Sequence, residues 1–102
     1  MTTEQHTAVT PIARPYRRAG IDEYFLNDEA VLYDPARHAT HYLNTSARMI
    51  WARCDGRRTV AQITSDVLDE YEMNDPKRRD GVARDVESAL LELSNNGLID
   101  LA

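Results

Sequence analysis

Two helical patterns separated by only a few residues constrain this chain more than any other feature. Ala47, Ile50, Trp51 and Cys54 recur at i, i+3, i+4 and i+7, one face of a helix. Val60, Ile63, Val67, Leu68 and Tyr71 make a second stripe of the same kind. Asn44, Thr45 and Ser46 are good N-cap types for the first helix. Gly56, after Asp55, tolerates the left-handed conformation that ends it. Thr59-Val60-Ala61-Gln62 opens the second helix with a capping-box sequence. A close helix pair of this sort fits a DNA-binding helix-turn-helix, or one part of a small winged domain that reads something else.

The flanks complete the order. Tyr24 to Leu26, Ala30 to Tyr33 and Thr40 to Leu43 are short β-prone runs, separated by Asn27-Asp28 and Asp34-Pro35. That pattern predicts a small antiparallel meander. Asn74-Asp75-Pro76 is a further helix start, with proline in the first turn. Val82, Val86, Ala89, Leu90 and Leu93 then line one face of a third helix. Gly81 sits inside it, at a cost of roughly 1 kcal/mol against alanine. Asn95-Asn96-Gly97 closes this helix, and Leu98 to Leu101 reads as a short strand or tail. The expected fold is α+β and winged-helix-like, a three-stranded antiparallel sheet followed by three helices. Residues 1–20, with Pro11, Pro15 and Gly20 and little apolar periodicity, are expected to form a flexible N-terminal arm; residues 21–102 form the domain.

Charge weighs on the DNA reading. The formal net charge is −5 and the pI is near 5.1, the wrong sign for a chain that draws affinity from phosphate neutralisation. The second helix carries Asp66, Asp69 and Glu70 and no lysine or arginine. Arg57 and Arg58 in the preceding turn are the residues that would touch phosphates. A winged-helix DNA-binding regulator is therefore the alternative, and no nucleic acid is the expectation. One cysteine excludes a disulfide within the chain and a thiolate metal cluster, and suits a reducing cytoplasm. No apolar stretch approaches ~18 residues, and the N-terminus lacks the apolar run of a secretory signal, so no membrane span is expected.

Catalytic chemistry finds no foothold. The four glycines are scattered, so no phosphate loop is present. His6, His38 and His41 with Cys54 do not make the paired spacing of a zinc site. Cys54 and Trp51 share an apolar stripe and read as core. No cofactor, metal or catalytic residue is expected. Two features suit binding instead. A sheet this small has exposed edges, which accept another strand. Lys77, Arg78, Arg79 and Arg84 stand near the start of the third helix, against its dipole. An acidic ligand offsets that cost, or Asp75, Asp80 and Asp85 pair with them.

Taken as a whole, LNTSARMIWARCDGRRTVAQI at residues 43 to 63 resembles the PqqD family of peptide-binding proteins. The matching elements are Leu43-Asn44, Ala47 to Trp51, Asp55-Gly56, Thr59-Val60 and Gly97-Leu98-Ile99, and they span roughly residues 16 to 101. The resemblance implies a precursor-peptide recognition element. Such a domain takes the leader segment of a ribosomally synthesised precursor peptide as an added strand and presents it to a modifying enzyme, often a radical S-adenosylmethionine enzyme. A non-catalytic protein is expected, and the single cysteine and the lack of a secretory signal point to the cytoplasm. Carried onto this chain, the peptide-binding residues are Thr40, His41, Tyr42 and Leu43 on the third strand. Facing them on the third helix are Arg79, Ala83, Val86 and Leu90. Leaders of this kind are commonly acidic, and the Lys77-Arg78-Arg79 cluster would steer one in.

Overall fold

The computed structural model describes residues 9–71 and 76–102. Its elements in chain order are strand β1 (Pro15–Arg17), β2 (Asp22–Leu26), β3 (Glu29–Asp34) and β4 (Ala39–Leu43), helices α1 (Thr45–Ala52), α2 (Val60–Glu70) and α3 (Pro76–Asn95), and strand β5 (Ile99–Leu101). The expected meander is present as an antiparallel sheet in the order β2-β3-β4. Leu26 pairs with Glu29 across a two-residue turn, in which Asn27 takes a positive φ of 57°. Asp34 pairs with Ala39 across a four-residue turn that ends on His38, also at positive φ.

Alternation along these strands decides what each face does. Ala30, Leu32 and Leu43 turn inward and are buried. They meet Ile50, Trp51 and Cys54 of α1, Ile63 and Val67 of α2, and Val86, Leu90 and Leu93 of α3 in one core. Tyr24, Leu26 and Tyr42 turn the other way and stay exposed.

The helix boundaries follow from local chemistry. The Asn44 side chain accepts from the Ala47 N–H at 2.9 Å and starts α1. Thr59 and Gln62 satisfy each other's backbone donors at 2.8 and 3.1 Å, a complete capping box for α2. Such a cap contributes about 1 kcal/mol. At the far end of α3, the Leu98 N–H bonds the Leu93 carbonyl at 2.9 Å, with Gly97 at a φ of 73°. That 6→1 bond closes the helix as a Schellman motif. Asn74, Asp75 and His6 lie outside the described residues, as does the Lys77 side chain.

The N-terminal segment departs from expectation. Residues 11–17, expected in a flexible arm, are built into the fold. β1 pairs antiparallel with β5, Pro15 opposite Leu101 and Arg17 opposite Ile99. Its other side holds the α1–α2 turn, where Gly56 N–H bonds the Pro15 carbonyl at 2.9 Å and Arg17 N–H bonds the Cys54 carbonyl at 3.0 Å. The Ala13 and Pro11 carbonyls take the Val60 and Ala61 N–H groups at the start of α2. Arg17 also caps the end of α1, donating to the Trp51 and Ala52 carbonyls at 3.1 and 2.8 Å. These bonds are mostly main-chain, which is why no apolar periodicity announces them. Pro15 is wholly buried even though it donates nothing.

Cys54 is fully buried and its Sγ donates to the Ile50 carbonyl at 3.3 Å. Burial pushes its thiol up to about 12, from a usual value of 9.0, with the Arg17 charge pulling weakly the other way. The neutral thiol is therefore favoured in the fold. That contribution is intact below the ordinary thiol range and is lost as pH climbs from about 9 towards 12. At pH 8 the folded chain is expected to resist alkylation by iodoacetamide and to label only through opening, while the urea-unfolded chain labels fast. Equal rates in the two states would contradict this burial.

Among the described residues, no helix is long and apolar enough to cross a membrane.

Candidate functional site

β4 is an edge strand. β3 pairs along one side of it, and no described strand pairs along the other. Beside that open edge, the chain forms a cleft of about 350 Å³. Thr40, His41, Tyr42 and Leu43 line it on the strand side, and Ala89, Glu92, Leu93 and Asn96 of α3 line the opposite wall. A second cleft of about 370 Å³ continues along the helix. There Val82, Asp85, Val86 and Ser88 of α3 face Ser46 and Ile50 of α1 and Val67 and Tyr71 of α2. Asn44, Ala47, Ala89 and Glu92 belong to both clefts, so the two run together as one trough. Its depth comes from two short side chains, Ala47 and Ala89, where longer ones would close it.

Alternation gives the four strand residues different tasks. His41 and Leu43 turn to the inner side with Leu32 and Ala30. The His41 Nε2 is buried with no hydrogen-bond partner among the described residues. Thr40 and Tyr42 turn to the outer face and are exposed. The Glu29 carboxylate acting on the Tyr42 hydroxyl raises its pKa above the ordinary tyrosine value. Tyr42 also continues a cross-strand row, Tyr24 to Val31 to Tyr42, that stops at the open edge.

The expected residues of α3 fall in three environments. Val86 lines the second cleft at 1% exposure. Leu90 is wholly buried in the core. Arg79 and Ala83 line neither cleft. Val82, Asp85, Ala89, Glu92 and Asn96 also line the trough and form a line one residue earlier, rotated about 100° around the helix, with Val86, Ser88 and Leu93 beside it. The sequence signal for this line was present as the edge of the apolar stripe, marked by small Ala89. Nothing in periodicity says which edge of a stripe lies beside a neighbouring strand.

Of the basic cluster, Arg78 stands eleven residues before Ala89 and so on nearly the same side of the helix. Arg84 stands five residues before it, about 140° away. Arg53 and Arg58 at the α1–α2 turn are engaged with acids. Arg58 pairs with Asp55 at 2.8 Å and with Asp66 at 3.2 Å. Arg53 reaches Asp66 and Glu70. Two backbone N–H groups, those of Arg58 and Arg57, hold the Asp55 carboxyl below its ordinary pKa. This turn therefore offers a phosphate backbone mostly compensated charge, followed by an acidic helix face.

Comparison with known proteins bears on the same region. The family model described as coenzyme PQQ synthesis protein D (PqqD) matches residues 29–99. Two solved structures share the fold. One is "TbiB1 in Complex with the TbiA(beta) Leader Peptide", 21% identical, covering 83% of this chain and 94% of that one with a TM-score of 0.70. The other is "Lasso peptide synthetase B1 complexed with the leader peptide", 24% identical, covering 86% of this chain and 99% of that one with a TM-score of 0.70. No curated protein sequence matches. The family match runs from the start of β3 to the start of β5 and takes in the open edge, the trough and all three helices, and on that ground the chain belongs to the PqqD family.

Proposed function

We propose that this protein captures the leader segment of a ribosomally synthesised precursor peptide as an added strand on β4 and presents it to a modifying enzyme. The observation that carries the reading is the open edge of β4 standing directly over the trough. Main-chain pairing along such an edge supplies affinity with little demand on sequence, and the trough beneath takes alternate side chains and selects among guests. A guest strand also offers the buried His41 Nε2 a partner. Both solved structures of the same fold are, by their descriptions, complexes with leader peptides, which supports the same assignment. The protein's part is binding and delivery, with no catalytic step of its own. The family resemblance favours a radical S-adenosylmethionine enzyme as the recipient, and the cytoplasm as the place.

The test is a fluorescence-anisotropy titration of the purified chain with the labelled leader encoded beside its gene. Saturable binding with a Kd of about 10 μM or tighter is expected. A folded sample that shows no binding at roughly ten times that concentration would refute peptide capture. A DNA mobility shift whose affinity falls with salt would instead revive the winged-helix regulator.

A further inference from the structure

Resting on that reading, we infer that the trough selects a guest carrying a basic side chain, and that Asp85 and Glu92 are the residues that select it. The charge on the trough walls points this way. Among the described residues, Asp85 and Glu92 are the carboxylates that line it, and no lysine or arginine lines either cleft. Asp85 and Glu92 lie seven residues apart on α3, two turns or about 10.5 Å along one face. Both are exposed.

Several acids of the fold are already held by a partner. Asp55, Asp66, Glu70 and Asp100 each have an arginine within 4 Å. Glu23 accepts from the Trp51 indole. No such partner holds Asp85 or Glu92 among the described residues.

Strand addition turns this difference into selection. A guest laid along β4 covers the trough and takes water off both carboxylates. Part of the wall beside Asp85 is apolar, formed by Ile50, Val67, Val82 and Val86. A carboxylate desolvated against such a surface without a counter-charge is costly, whereas one that meets an ammonium or guanidinium is compensated. The acidic guest expected from the Lys77-Arg78-Arg79 cluster brings like charge against both residues. Arg78, one turn before Val82, is placed to meet an acid only at the far end of the trough. The guest that fits is thus apolar and small-to-basic over the trough.

Selection from a randomised peptide display library on the immobilised full-length chain tests this. Recovered peptides are expected to be enriched in Lys and Arg over Asp and Glu. Glu92→Lys is expected to lower that ratio about five-fold or more. Asp69→Lys, with the same change in net charge on a part of α2 that does not line the trough, controls for bulk attraction to an acidic protein and is expected to leave the ratio unchanged. Peptides enriched in acids, or an equal shift in both variants, would overturn the inference while leaving peptide capture standing. A library from which the folded wild-type chain recovers no peptides would strike peptide capture itself, and this inference with it.

Discussion

Trp51→Ala is expected to strip the fold of about half its stability. Trp51 is the single tryptophan and is 2% exposed at the centre of the core. It joins elements that are distant in sequence. Its indole N–H donates to Glu23 on β2, and the Arg17 guanidinium of β1 sits 6.0 Å from its ring. Truncation to alanine in such a site removes about 3–5 kcal/mol through lost burial and the cavity left behind. It also leaves the Glu23 carboxylate without its donor. A domain of this size has a total stability of about 5–10 kcal/mol, so the loss is of the same order as the whole. Far-UV circular dichroism against urea measures it, since the substitution removes the tryptophan fluorescence. Trp51→Phe keeps most of the volume and loses the N–H, and is expected to cost about 1–2 kcal/mol. An unfolding free energy for Trp51→Ala within about 1 kcal/mol of the wild type would show that the ring does not organise the core.

At the edge strand the expected result is a split between neighbours. Successive residues of a strand direct their N–H groups to opposite sides. Of His41 and Tyr42, one therefore donates towards β3 and the other towards the open edge. Proline removes the donor in either place. At the β3-facing position it breaks the β3–β4 ladder, and the variant is expected to melt. At the outward position the sheet keeps its bonds, because edge strands tolerate proline there. That variant is expected to fold and to bind leader at least ~10-fold more weakly, through the lost main-chain bond and the ring's clash with the guest. Circular dichroism and the anisotropy titration together separate the two effects. If His41→Pro and Tyr42→Pro both fold and bind like the wild type, the guest does not pair on β4.

The elements that local chemistry specifies were legible in the residues themselves. Asn44, Thr59 with Gln62, and Gly97 mark helix ends by the hydrogen bonds they make, and each does so in the structure. The three strands of the meander showed as short β-prone runs between turn residues. The Thr40–Leu43 edge followed from strand order, because the last strand of a three-stranded meander has one free side. Two features were not legible, for one reason each. β1 is held mainly by main-chain bonds to β5 and to the α1–α2 turn, and main-chain bonds leave no pattern in side chains. The trough-facing line of α3 depends on how the helix is rotated against β4. Val86 and Leu90 were visible as apolar, but that leaves open whether they face a guest or the core. Leu90 is wholly enclosed, and the wall beside the strand passes to Ala89 and Glu92.

The pairing of β1 with β5 also governs when this molecule can become itself. Pro15 meets Leu101 and Arg17 meets Ile99, partners more than eighty positions apart. Contacts of such long range are slow to form, because the loop between them must be closed first. During synthesis the meander is made early, but the β1–β5 ladder cannot form until residues 99–101 have been made. Until then β1 has partners on one side only, those of the α1–α2 turn and the start of α2. A chain cut short before Ile99 would thus keep β1 on one set of bonds, its β5-facing side unpaired.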